Sequence, residues 1–395
     1  MTLSDTLRLQ WTLALSAPAP AWPPQPEHMD KLDFDESYSP VVLNGTLFVA
    51  SMLNDSLTAY DTRTGLEKWR FYADGPMRLA PAAWAGKVYA VSDDGFLYCL
   101  DAERGAERWR FRGGPEDRRL LGNTRLINMW AARGGPVIRD GRVYFAASVW
   151  PMMGTFIHGL DAETGAPVWS NTGMGAHFNQ HQHGGAFAFG GVAPQGYLAA
   201  SEDVLLVSGG RGVPAAHDLA TGAFKFYEQA SGTVGKGAGG YRVAVQGDWY
   251  YNHGMMYSLD DGAQLESLGA DILTDEAVYV VAPVEGDAQG CRLEAYASAP
   301  DEDPSVEIEN RLERGALSKR YRHRRLWDTA LDAPVERLHL LAGDRLYGSG
   351  ANGLIAAIDL PRGNQPARVS WQTAIEGEVW EMLAADQRLF VVTLD

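Results

Sequence analysis

The sequence predicts an all-β chain, an eight-bladed β-propeller of four-stranded antiparallel blades. Three observations predict it. A short phrase recurs roughly every 40 to 60 residues, the mark of a repeat architecture. Its clear copies are AYDTRTGLEKW (Ala59 to Trp69), CLDAERGAERW (Cys99 to Trp109) and GLDAETGAPVW (Gly159 to Trp169). Weaker copies read AHDLATGAFKF (Ala216 to Phe226), SLDDG (Ser258 to Gly262) and AIDLPRG (Ala357 to Gly363). A hydrophobic run opening on a turn residue precedes each, as in GTLFVAS, GKVYAVS, GRVYFAAS and DRLYGSG. Finally, 44 Gly, 20 Pro and 12 Trp suit a chain of many turns and large packing aromatics.

One unit can be read strand by strand. Pro81 to Ala83 opens it, and Ala85 and Gly86 make a two-residue turn into a second strand, Val88 to Ser92. Asp93, Asp94 and Gly95 form a tight hairpin turn in which Gly supplies positive φ. The third strand runs from Phe96 to Leu100 and the fourth from Ala106 to Phe111. Between them, the Asp of Asp-Ala-Glu-Arg-Gly can accept from backbone amides ahead of it, and its Gly takes the left-handed turn. The closing Trp has one polar edge and can plug the gap between neighbouring sheets.

Second strands are predicted to begin near Thr46, Lys87, Arg142, Val204, Asp248, Ala277, Arg345 and Arg388, which gives eight units. Their closing aromatics are Trp69, Trp109, Trp169, Phe226, Trp327 and Trp371, with an unclear position near Glu266. The eighth unit lacks its own. Trp11, on an N-terminal strand over about residues 7–15, is expected to complete that blade and close one domain over 1–395, removing open sheet edges. The last blade reads as cut short at 395, where another strand should follow. Residues 298–326, acidic and then basic, read as a surface insertion in blade six.

GKVYAVSDDGFLYCLDAERGAERWRF (Gly86 to Phe111) resembles the pyrroloquinoline-quinone-type propeller repeat. That repeat is shared by quinoprotein alcohol dehydrogenases and by the non-enzymatic propeller lipoprotein of bacterial outer-membrane assembly. Residues 113–138 and 191–201 are similar to uncharacterised bacterial propeller proteins of the planctomycete type, several of which carry further C-terminal domains. The resemblance implies an extracytoplasmic setting. In the dehydrogenases it implies a quinone held between a Trp and a disulfide of adjacent cysteines, with a metal-binding carboxylate and amide and an Asp base. This sequence has only Cys99 and Cys291, far apart, and no assignable set of those ligands. The dehydrogenase reading thus inherits a fold and no catalytic motif.

The formal charge of −16 disfavours nucleic acid, whose phosphates need clustered Lys and Arg. No stretch is long enough for a membrane helix, and the first twenty residues or so do not read as a signal peptide. Candidate chemistry comes from aligning the repeats. The position before each innermost strand is held by Arg78, Arg133, Gln195 and Glu336, among others, and equivalent positions in a ring converge on its axis. Two guanidiniums there suit a small anionic ligand or a peptide, since the planar fork binds two oxygens at once; alternatively they tie blades together. Loops expected on the same face add Trp150 and Arg211. His177, His181 and His183 in HFNQHQHGG form a second candidate, for a transition metal held by imidazole, for a polar ligand, or simply for hydrogen bonds within the loop.

Three functions remain open from the sequence. The first, preferred because the dehydrogenase motifs are missing, is a binding or scaffolding module with a ligand funnel at the channel mouth and no resident cofactor. The second is an oxidoreductase using pyrroloquinoline quinone or a His-bound metal. The third is a structural domain of a larger enzyme whose C-terminal domain follows.

Overall fold

The computed structural model describes residues 2–24, 30–180, 187–210, 212–227, 239–284, 286, 290–310 and 316–394. Its described residues are all-β apart from three short 3-10 turns, Asp30–Leu32, Pro151–Met153 and Met174–Ala176. The chain divides into two compact units, Trp11–Gln264 and Met1–Gln10 with Leu265–Asp395.

The Trp11–Gln264 unit is a run of antiparallel meanders. The first sheet is Val41–Leu43, Thr46–Ser51, Ser56–Asp61 and Glu67–Tyr72; the second is Ala82–Trp84, Lys87–Val91, Phe96–Asp101 and Glu107–Arg112. Next come Gly134–Arg139, Arg142–Ala147, Phe156–Asp161 and Pro167–Asn171, then Gly196–Ala200, Val204–Gly209, Gly212–Asp218 and Phe224–Phe226. Ala244–Gln246, Trp249–Asn252 and Met255–Ser258 follow, and Gln264–Ser267 begins where the unit ends.

In the other unit the strands Ile272–Leu273, Ala277–Pro283, Cys291–Ala297 and Arg325–Leu331 form one sheet. The hairpin Asp301–Asn310 with Ala316–Arg322 is inserted before its last strand. Arg337–Ala342, Arg345–Gly350, Leu354–Asp359 and Arg368–Ala374 form the next sheet, and Glu378–Ala385 pairs with Arg388–Leu394.

Second strands start within one residue of all eight predicted positions. The arrangement is that of a β-propeller, but the expected eight separate four-stranded blades are corrected. Among the described residues, five four-stranded sheets stand alone, one sheet has eight strands, and four sheets, the last hairpin among them, have two. The eight-stranded sheet arises because Gly134–Arg139 pairs in parallel with Gly196–Ala200 through Gly134, Gly135 and Gly196. Glycines let the two innermost backbones meet. A Cβ on Gly134 would lie 2.9 Å from Leu198 Cδ1 on the facing strand. Residues 7–15 carry no assigned strand. Leu3 and Leu7 instead join Val379, Met382, Leu389 and Val391 in an apolar cluster on the last hairpin.

The repeat phrase has a sharper physical basis than a turn. After the third strand, the Asp carboxylate accepts from two amides ahead of it, as Asp101 does from Glu103 and Arg104 at 3.1 and 3.0 Å. The Gly then takes positive φ, and the chain bulges just before the closing Trp, at Arg108 opposite Cys99 and Leu100 in the second sheet. Each closing ring lies on the Gly of the next repeat. A Cβ added to Gly65, Gly105, Gly165, Gly222 or Gly262 would meet Trp11, Trp69, Trp109, Trp169 or Phe226 at 2.3–2.8 Å. The indole N–H groups complete the contact: Trp11, Trp69, Trp109 and Trp169 donate to Thr62, Ala102, Glu163 and Leu219 carbonyls at 3.1–3.2 Å. Trp11 therefore docks as the repeat requires although its segment is not a strand.

Gly105→Ala tests this docking. The new methyl would need φ +69° and would start 2.5 Å from the Trp69 ring. Left-handed strain and overpacking together are expected to cost about 3 kcal/mol, read as a lower urea midpoint. Gly86→Ala, also at positive φ but with nothing within 4 Å, should cost only the backbone part.

Candidate functional site

Within the Trp11–Gln264 unit, four of the sequence candidates come together. Arg78 lies in the link between the first two sheets. Arg133 precedes the innermost strand Gly134–Arg139, and Gln195 precedes Gly196–Ala200. All three are buried. Between the two arginines stands Asp93, from the turn between the second and third strands of the second sheet. Arg78 Nε donates to Asp93 Oδ2 at 2.7 Å, and Arg133 donates through Nε and Nη2 to both Asp93 oxygens at 3.0 Å. Arg78 Nη1 also reaches Asp35 Oδ2 at 2.5 Å.

Two buried guanidiniums thus meet two buried carboxylates, and the cluster is neutral. Burial pushes the Asp93 carboxyl up, but the charges of Arg133 and Arg78 and their hydrogen bonds outweigh it and hold it at about 2. Asp35 is different. Burial dominates and raises it despite Arg78, and its Oδ1 has no hydrogen-bond partner among the described residues.

Residues 16–24, SAPAPAWPP, cross this cluster. Ala19 O accepts from Arg78 Nη1 at 2.7 Å, and Ala21 N donates to Asp35 Oδ2 at 2.9 Å. Tyr38 Oη donates to Ser16 O at 2.8 Å and Asn123 Nδ2 to Pro20 O at 3.2 Å. The Arg133 guanidinium sits 5.5 Å from the centre of the Trp22 ring, a cation–π contact. Trp22 Nε1 donates to Gln195 Oε1 at 3.1 Å. Trp150, half exposed, meets Trp22 edge-on with centroids 5.5 Å apart.

Glu336 is exposed in the second unit, where it lines a cleft of about 660 Å³ with Arg337, Asn352, Glu378 and Trp380. His177 packs on Phe224, with centroids 4.7 Å apart. His181, His183 and Arg211 lie outside the described residues. Among the described residues no group of three or more His, Cys, Asp or Glu is placed to hold a metal.

Sequence reading missed Asp93, Asp35 and Trp22. Asp93 was legible only as a turn residue. Its neighbour Asp94 does that work, accepting from Phe96 N at 3.0 Å and Tyr98 Oη at 2.6 Å, which leaves Asp93 free for the arginines. Two adjacent carboxylates in one turn were the available signal. Trp22 stood in a proline-rich stretch without periodicity, which carries no strand or helix pattern.

Residues 5–172 match the family model described as outer membrane protein assembly factor BamB. The quinohemoprotein alcohol dehydrogenase ADH-IIG of Pseudomonas putida is 26% identical over 155 residues, 35% of this chain and 20% of that protein. The serine/threonine-protein kinase AfsK of Streptomyces griseus is 30% identical over 145 residues, 35% of this chain and 16% of that one. The solved structure of the Pseudomonas putida ADHIIG enzyme aligns with 91% of this chain and 70% of its own, at 14% identity and a TM-score of 0.52, a likeness of fold. The chain spans about a fifth of the length of the curated relatives it matches. The matched part of the chain is thus similar to the propeller repeats of quinoprotein dehydrogenases and of the outer-membrane assembly factor. No helix among the described residues is long and apolar enough to cross a membrane.

The residues of the cluster do not fit a quinone. The guanidiniums that could hold its carboxylates are already paired with Asp93 and Asp35. Cys99 and Cys291 are separate, free and buried, with Cys291 Sγ donating to Ala333 O at 3.0 Å.

Proposed function

We propose that this protein is a binding or scaffolding propeller, and that its site in the Trp11–Gln264 unit takes an extended peptide rather than a small anion or a redox cofactor. One observation carries the reading: the arginine pair is already neutralised by carboxylates, while its remaining donor and its aromatic face address a peptide backbone and an indole. A neutral cluster gives a free anion little net attraction. It gives a peptide oriented donors and acceptors for main-chain groups that would otherwise be desolvated without partners. An extracytoplasmic setting belongs to the same proposal, supported by the outer-membrane assembly family model.

The test has two arms. Addition of pyrroloquinoline quinone and Ca²⁺ to the full chain is expected to give no alcohol-dependent dye reduction. A library of extended decapeptides, screened on the full chain carrying Trp22→Ala, is expected to yield saturable binding that Arg133→Ala weakens at least tenfold. Quinone-dependent turnover with no peptide bound would overturn the reading. A second reading, that the repeats serve as one domain of a larger enzyme, is favoured by the match to a protein named as a kinase. A full-length gene product with a catalytic domain would support it.

A further inference from the structure

Residues 16–24 occupy the arginine cluster in the manner of a bound ligand. Pro18, Pro20, Pro23 and Pro24 fix φ near −65° and push the residues before them to extended geometry, so the segment is preset as polyproline II. Its named main-chain bonds go to side chains, those of Tyr38, Arg78, Asn123 and Asp35. Those side chains come from three separate places in the chain and meet the carbonyls of Ser16, Ala19 and Pro20 and the amide of Ala21. One aromatic anchor, Trp22, is gripped by Arg133, Gln195 and Trp150. Main-chain carbonyls read by side chains, beside an aromatic slot, is how grooves recognise proline-rich peptides.

Resting on the binding reading above, we infer that this groove is a recognition site for proline-rich, tryptophan-bearing extended peptides, and that residues 16–24 fill it in cis. The pairing is specific in chemistry. Proline supplies a preformed backbone whose ordering cost is small. Tryptophan supplies both the ring for Arg133 and the N–H for Gln195. The half-exposed face of Trp150 leaves a contact that a longer peptide can use. While the cis segment is seated, a peptide in trans must displace it, and its apparent affinity falls by the fraction of chains in which the groove is open.

The experiment uses the full chain with Trp22→Ala, or with Pro18→Gly and Pro20→Gly together, and a fluorescein-labelled peptide ALSAPAPAWPP (residues 14–24) read by anisotropy. The opened chains should bind the peptide at least tenfold more tightly than the wild type. A peptide with Ala in place of Trp should lose that binding, and so should Asn123→Ala in the opened chain. Should both opened chains fail to fold, restoration of their near-UV dichroism by the added peptide supports the inference, and failure to restore it overturns it. Equal binding of a scrambled peptide by a folded, opened chain also overturns it. If the library instead yields peptides without proline or tryptophan, the binding function stands and this assignment falls.

Discussion

Asp93→Asn is expected to destabilise the protein by about 3 to 5 kcal/mol, the usual cost of removing one partner from a buried ion pair. The substitution keeps shape and removes charge, so the loss is electrostatic. Arg78 retains Asp35 as a counter-charge, but Arg133 has no other carboxylate among its named contacts and keeps only the face of Trp22. Tryptophan fluorescence in urea checks it, because Trp22 reports on the same cluster. Asp94→Asn, one residue away, removes turn bonds and the Tyr98 contact without unpairing an arginine, and should cost less.

The acid limb separates this term from others. Asp93 has a folded pKa of about 2, below its unfolded value of 3.8. Its contribution is therefore complete above about pH 4 and disappears as pH falls through 2. The buried histidines act earlier. Burial lowers His158 and His217 to about 4 from 6.5, so both are neutral in the fold, and their contributions decline as pH falls from 6.5 through 4. His158 is held by Ser170 Oγ and by the Gly113 carbonyl, each at 2.8 Å. Asp93→Asn should flatten stability against pH between 4 and 2 and leave the upper limb unchanged.

The fold was legible because it is local and repeated. A hydrophobic run, a turn, an Asp–Gly link and a closing Trp each occupy a few consecutive residues, so second strands could be placed to within one residue. The blade count was not legible. It depends on backbones meeting through Gly134 and Gly196, more than sixty positions apart in the chain, and glycine has no side chain to announce a partner. The site was half legible for a related reason. Equivalent repeat positions pointed to Arg78, Arg133 and Gln195, but the groups that neutralise and cover them do not repeat. Asp35 and Trp22 occur once, before the first repeat, where periodicity says nothing.

Trp169→Ala is the second large effect. Trp169 is the most enclosed of the docking tryptophans whose carbonyl bond is described, with 9% exposure, whereas Trp69 and Trp109 are only half-buried. Its ring lies between two glycines, where a Cβ on Gly159 would stand 2.7 Å from it and one on Gly222 2.3 Å. Tyr144 covers it at 5.9 Å between centroids, and its N–H holds the Leu219 carbonyl at 3.1 Å. Glycines on both sides leave nothing to fill the space after truncation, so the cavity term is near its upper range, and the loss should be about 3 to 5 kcal/mol. Trp169→Phe keeps a ring but strands the Leu219 carbonyl, at about 1 to 2 kcal/mol. In a protein of stacked repeats such a contact joins one unit to the next rather than stabilising either alone. If the Trp11–Gln264 unit unfolds in one urea transition, Trp169→Ala should split it into two, resolved by dichroism and fluorescence. A uniform downward shift of one sharp transition would show instead that Trp169 acts only as core volume.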